Sequence, residues 1–280
     1  MKHPARIPTE QQEIRRTVIR IEARSSIHTE TIPRQYRSTL RYHRRDAGEG
    51  DEVSEPVHLT PWPTPLRWEV PPRSWSAGKA SSLTVTAGGE TDLFLDPERT
   101  RGALNAPRLL GTPHGDFLAS ARVTVGFSAV RDAGVLLLWA HERSWAKLCF
   151  ELSPEGAPTV VSVVTRGLSD DRRSFEVDAD HVWLRVSRLG RVCAFHASTD
   201  GTTWHLVRSF SLGSTAELAV GFSAQSPAGD GCTAVFDDIR FAPRRLGDLR
   251  SGDAVYGDAL ARAGQMPPLT GLALPLPHVL

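Results

Sequence analysis

The sequence predicts an all-β sandwich of two antiparallel sheets with disordered N- and C-terminal tails. Three observations point there. Between residues 83 and 241 short apolar runs alternate with turn residues at spacings of about ten, the pattern of a sandwich or barrel and not of βαβ units. β-branched and aromatic residues dominate those runs, as a half-buried pleated surface favours. No 12-residue window there keeps a helical apolar repeat free of Gly or Pro, so helix should be scarce.

Residues 1–58 read as a basic disordered leader and linker. They lack sustained apolar periodicity, apart from a transient helix over 14–21, and close in Asp46-Ala47-Gly48-Glu49-Gly50-Asp51-Glu52. Residues 59–243 read as the sandwich. Pro61, Pro63, Pro65, Pro71 and Pro72 punctuate its first stretch, whose Trp62, Trp68 and Trp75 are expected to cap the sandwich edge. The clearest strands are 83–87, 92–95, 117–125, 134–140, 144–152, 159–165, 181–188, 191–198, 203–210, 217–223 and 232–241. Residues 244–280 form a Gly, Pro and Ala-rich tail, helical only over 259–263 and expected to be poorly ordered.

At 40% hydrophobic and 23% charged residues, the 280-residue chain can bury a sizeable core. A net charge of +1 argues against a protein built to neutralise a phosphate backbone, so no nucleic-acid partner is expected. Residues 1–45 do carry eleven Lys or Arg against four Glu. We read them as a leader rather than as an arm for nucleic acid or anionic lipid. No run approaches the roughly 20 apolar residues of a membrane span, and the first residues are charged rather than an apolar secretory segment. Cys149, Cys193 and Cys232 are odd in number and far apart, without the close pair of a zinc or redox motif. They read as small buried hydrophobes in a cytoplasmic protein.

Alternation assigns faces. In 144–152 Ala146, Leu148, Phe150 and Leu152 should face the core, leaving Trp145, Lys147, Cys149 and Glu151 outside. In 181–188 Val182, Leu184 and Val186 should face inward, with Trp183, Arg185 and Ser187 outside. Burying each Leu or Phe stabilises by roughly 1.5–3 kcal/mol, so register has little freedom to slip. The nearly apolar strand 159–165 should be central and covered on both faces.

The series Trp145-x-Lys147-x-x-x-Glu151, Ser162-Val163-Val164-Thr165, Ser169-Asp170, Leu184-Arg185-Val186-x-Arg188, Ser198-x-Asp200-Gly201-x-x-Trp204-x-x-x-Arg208, Gly221-Phe222, Ser226-Pro227 and Phe236-Asp237-Asp238 resembles the bacterial and fungal family of unknown function numbered 1349. The resemblance covers about residues 66 to 241. It implies a concanavalin A-like jelly roll with one concave sheet, in the superfamily of lectins and glucanases, and no agreed activity. Asp171 stands where the family pattern has Trp, after Gly167-Leu168.

Trp145, Lys147, Glu151, Trp183 and Arg185 suit a sugar patch, since an aromatic stacks on a saccharide C–H face while charges bind hydroxyls. Ser162, Thr165 and Asp170 join it if strand 159–165 is the neighbour. A cross-strand ion pair on a solvated sheet fits the same residues. A Glu-x-Asp-x-x-Glu pair of glucanase type is missing, and Pro154 turns the chain between Glu151 and Glu155, so no catalytic residue is assigned. Asp200-Gly201 reads as a hairpin turn backed by Trp204. His141-Glu142 has Trp145 where a zinc helix needs its second His, and Arg73 stands where a phosphate loop ending at Gly78-Lys79 needs Gly. No metal or cofactor is assigned, although calcium at Asp230, or at Asp237 and Asp238, stays open. The reading is a non-catalytic domain that binds a carbohydrate or sugar-bearing metabolite. The alternatives are a protein-interaction or regulatory module without a small ligand and a divergent glycoside hydrolase. Oligomeric state is left open.

Overall fold

The computed structural model describes residues 55–78, 81–213, 217–250 and 252. The expected leader and tail therefore fall, over 1–54 and 253–280, outside the described residues. Among the described residues there are sixteen strands and no helix. They are β1 (Arg67–Val70), β2 (Ser74–Gly78), β3 (Ser82–Gly88), β4 (Leu93–Leu95), β5 (Gly102–Leu104), β6 (Arg108–Gly111), β7 (Phe117–Gly126), β8 (Ala133–His141), β9 (Ser144–Leu152), β10 (Pro158–Arg166), β11 (Leu168–Glu176), β12 (His181–Leu189), β13 (Val192–Ser198), β14 (His205–Phe210), β15 (Ala219–Gln225) and β16 (Gly231–Ala242).

One sheet runs β1-β6-β15-β8-β9-β10-β11 and the other β14-β13-β12-β7-β16-β3-β2, while β4 and β5 pair as a separate hairpin. The strand partners are antiparallel, as the jelly-roll expectation requires. Between the sheets lies the main core, built by alternation: Ala146, Leu148 and Phe150 of β9 share it with Val182, Leu184 and Val186 of β12. Strand β10 is buried twice over, with Val160 and Val164 in this core and Val161 and Val163 on the other side. Cys193 and Cys232 pack in the main core and Cys149 outside it, all unpaired.

The outer face of the first sheet departs from expectation. Trp145 and Lys147 do not meet water; they are only 0% and 2% exposed. The reason is that this face also carries Leu137, Trp139, Val161 and Val163, too apolar to leave wet, and the β4–β5 hairpin folds over it through Leu93, Phe94, Leu95 and Leu104. On the outer face of the second sheet, Leu246 and Leu249 pack with Leu118 and Leu189. At the other end Val57 pairs with Leu66 and is buried with Leu59 and Trp62. The packed body thus extends beyond the expected bounds of 59–243 at both ends.

Strands β1, β2, β5, β6 and β11 are absent from the sequence-based set. Strand β2 is exposed throughout and β11 is Leu-Ser-Asp-Asp-Arg-Arg-Ser-Phe-Glu at a sheet edge. Edge strands bury little and need no apolar alternation. Of the three early tryptophans, Trp62 is core, tilted against Phe222 and Phe241, and Trp68 packs on the exposed Trp75. The Asp200-Gly201 turn forms, with Asp200 accepting from Thr202 N and Thr203 N and Gly201 at φ +72°, but the ring behind it is Trp183, which a Cβ there would strike at 2.9 Å, and not the expected Trp204, which stacks on Arg185.

Candidate functional site

The hairpin leaves part of the first sheet's outer face uncovered. There, a cleft of about 310 Å³ is lined by Lys147, Glu151, Val161, Val163 and Asp171 of the sheet, Phe94 and Arg101 of the hairpin, and Glu90, Asp92, Arg131 and Gln225 around it. Register explains the sheet's contribution. On β9 and β10 the pairs Lys147↔Val163 and Glu151↔Thr159 place these side chains on one face, and Val163↔Asp171 brings β11 to the same face.

Three fixtures shape the cleft. At the hairpin base Asp92 N donates to Asn105 Oδ1, while Asp92 Oδ1 accepts from Leu93 N at 2.7 Å and from Lys147 Nζ at 3.0 Å. Further along, Leu95 N donates to Ser169 Oγ, itself bonded to Thr165 Oγ1, both at 2.8 Å, so the hairpin is pinned to the sheet. On the opposite rim the fully buried Asp132 accepts from Ser128 N, Ser128 Oγ, Ala129 N and Ser226 Oγ. That knot sets the loop in which Arg131, at φ +68°, reaches the cleft.

Lys147 also donates to Gln225 Oε1 at 2.8 Å. Burial alone would lower its ammonium's pKa, but the Asp92 and Glu151 carboxylates outweigh this and hold it above its ordinary value. Burial pushes Glu151 up to about 7; Asp92 and Asp171 add to the rise, and Lys147 and Arg131 oppose it. Burial also drives the Cys149 thiol far up, so it stays neutral. The side chains of Glu90, Arg131, Glu151 and Asp171 make no hydrogen bond or salt bridge with other described residues.

The sequence-based site residues divide into five places. Lys147 and Glu151 line the cleft. Trp145 and Thr165 share their face but are sealed under the hairpin, Trp145 stacked on Trp139 and donating from Nε1 to Glu142 O. Ser162 pairs with Leu148 and points into the main core, where its Oγ has no partner among the described residues. Asp170 points away as well: it pairs with Val164 and binds Arg208 Nη2 at 2.7 Å, tying edge strand β11 to edge strand β14 of the other sheet. Trp183 and Arg185 lie on the second sheet's outer face, so the structure does not join them to Trp145 in one groove. Trp183 donates to Asp238 Oδ2; Arg185 stacks on Trp204 and donates to Gly252 O.

Sequence reasoning missed Glu90, Asp92, Phe94, Arg101, Arg131, Asp171 and Gln225. For Asp171 a signal existed: Gly167, at φ +83°, centres the β10–β11 turn, and reflection about it pairs Thr165 with Ser169 and Val163 with Asp171. Asp237 and Asp238, weighed as calcium ligands, engage Arg122 and Arg240 instead. Among the described residues no group of three or more His, Cys, Asp or Glu is placed to hold a metal, and no helix is long and apolar enough to cross a membrane.

The sequence model of a protein family of unknown function, DUF1349, matches residues 68–244, well over half of the chain. The chain belongs to the DUF1349 family. This DUF1349 span includes every cleft residue named above. Among solved structures, a functionally unknown protein from Saccharomyces cerevisiae is similar at 24% identity and a TM-score of 0.59, over 63% of this chain and 95% of that one. A mutant of the GH43 protein BlXynB from Bacillus licheniformis is similar at 19% identity and 0.48, over 63% of this chain and 36% of that one. The alginate lyase from Klebsiella pneumoniae follows at 10% and 0.42, over 60% and 83%. The yeast likeness speaks for the β-sandwich fold alone. No curated protein matches the DUF1349 chain.

Proposed function

We propose that the protein is a non-catalytic, cytoplasmic saccharide-binding protein and that the cleft beneath the β4–β5 hairpin is its site. The observation that carries this reading is the lining: unengaged acceptors and a guanidinium, from Glu90, Glu151, Asp171 and Arg131, surround an apolar floor of Val161 and Val163 with Phe94 as a wall. A sugar has the same two characters, hydroxyls at its rim and C–H groups on its face. About 310 Å³ is within the size range of small-ligand sites. Free cysteines support a reducing compartment.

Register favours binding over hydrolysis. Glu151 and Asp171 are separated by strand β10 and by four positions along it, from Thr159 to Val163. Their backbones are therefore about 10 Å apart across the sheet and about 13 Å along it. Glycosidase carboxyls lie about 5–9.5 Å apart. A second reading has one observation behind it: at about 7, Glu151 has the proton affinity of a general acid. Calorimetric titration against a broad saccharide set tests the first reading. Binding that Phe94→Ala weakens at least tenfold, with the melting temperature kept, is expected; no binding by any member rejects it. Turnover of an activated aryl glycoside that Glu151→Gln abolishes would establish the second.

A further inference from the structure

The cleft continues along the β4–β5 hairpin. A second hollow, of about 570 Å³, lies against the hairpin tip and is lined there by Asp96, Pro97, Glu98 and Thr100. Phe94, Arg101, Arg131 and Asp171 line both hollows. The two are therefore one groove with a neck at those four residues, leading from Val161 and Val163 on the sheet to the tip at residues 96–101. The tip is a formed surface. Asp96 N donates to Arg101 O at 3.2 Å, Arg99 N donates to Asp96 O at 2.9 Å, and the Asp96 carboxylate accepts from Glu98 N and Thr100 Oγ1. A surface ordered beforehand lowers the ordering cost of contacts made on it. The backbone carries a second sign. Glu90 and Arg131, both lining the cleft, take φ +55° and +68°, a region that is strained for side chains of their kind. Such strain gathers at ligand clamps, and Arg131 stands at the neck.

We infer that the ligand is an oligosaccharide of at least two sugar units, one over Val161 and Val163 and the next against the hairpin tip, with the glycosidic link passing the neck. This rests on the saccharide reading and goes one step further, to the ligand's length. Each hollow offers what one unit needs. The first has the apolar floor of Val161 and Val163, and the second has Pro97; the half-buried Phe94 ring reaches both. A sugar unit lays its C–H face on such a surface. At the neck the Arg101 and Arg131 guanidiniums are donors for ring and link oxygens, and the Asp171 carboxylate is an acceptor for hydroxyls on either side of the link. A single unit fills one hollow and leaves the other's surface without contact. The groove is also open at its rim, where Arg101, Arg131 and Asp171 are exposed, so a chain enters from the side.

The test titrates full-length protein with β-1,4-linked glucose, xylose and mannose series, each as monomer, dimer, trimer and tetramer. In at least one series affinity should rise at least tenfold from monomer to dimer, well beyond the statistical gain from a second equivalent unit. Two tip variants locate that rise: Asp96→Ala, which unties the turn, and the double variant Pro97→Ala with Glu98→Ala, which strips two exposed side chains. Each should remove most of the rise and leave monomer affinity unchanged; the double variant, with its melting temperature kept, decides if Asp96→Ala unfolds. Equal affinity of monomer and dimer in every series that binds overturns the inference and leaves the saccharide reading standing. No binding here or by any member of the broad saccharide set removes both. A rise that the tip variants leave intact overturns the placement of the second unit. Uridine diphosphate glucose binding more tightly than every dimer would overturn the oligosaccharide and point to a sugar-bearing metabolite.

Discussion

Single side chains separate what is structural from what is poised for a ligand. Lys147 is structural: buried, doubly hydrogen-bonded and paired with Asp92. Removing one member of a buried pair strands the other charge, so Lys147→Met should destabilise by about 3 kcal/mol in denaturant unfolding. Glu151 is poised. Its carboxyl is raised from 4.5 to about 7 by burial, which means that the folded state holds the proton more tightly than the unfolded one. Its ionisation therefore costs stability progressively as pH rises from 4.5 through 7, by at most about 3 kcal/mol. Carbon-13 NMR of labelled Glu should find one carboxyl titrating near neutrality, and Glu151→Gln should flatten that part of the stability profile. A midpoint near 4.5 would contradict the burial assigned to it. By contrast, Asp170→Ala loses a bridge to Arg208 whose carboxylate end is exposed, which is worth about 1 kcal/mol, and should leave ligand affinity untouched.

At the scale of elements, alternation was legible and coverage was not. Strand β9 divides into two faces as its residues alternate, and the core face of β12 is as expected, with Val182, Leu184 and Val186 all at 0% exposure. The same alternation marked Trp145 and Trp183 alike as outward. It tells one face of a strand from the other but not which sheet the strand joins, and these two lie on opposite sheets. Nor does it reveal that a three-residue pair, β4 with β5, closes over one outer face, because that packing lies in long-range contacts. The other outer face shows the same effect: Leu249 O accepts from His196 Nε2 at 2.7 Å and Gly252 O from Arg185. Gly252 has φ +69°, and a Cβ there would lie 2.8 Å from Arg185 and 2.9 Å from Trp204. Gly252→Ala should accelerate amide exchange over 244–252 without lowering saccharide affinity. Burial holds His196 neutral down to about 4, below its ordinary 6.5. That docking is thus fully present above pH 6.5 and weakens as pH falls from 6.5 toward 4; amide exchange against pH reads it directly.

For the molecule as a whole, the fold follows from a period-two pattern repeated often enough to close two seven-stranded sheets. Function follows from how those sheets are dressed. One outer face is covered by the segment around Leu246, the other by a hairpin that stops short of Glu151 and Asp171. On the proposed reading, recognition belongs to the first sheet, while Trp183 and Arg185 bond within the second sheet's covered face. The most direct measurement is amide NMR of the labelled protein titrated with the tightest-binding member of the saccharide set. Shift changes concentrated at Phe94, Arg101, Arg131, Lys147, Glu151 and Asp171 are predicted, while changes centred on Trp183, Arg185 and Trp204, or none, would contradict the assignment.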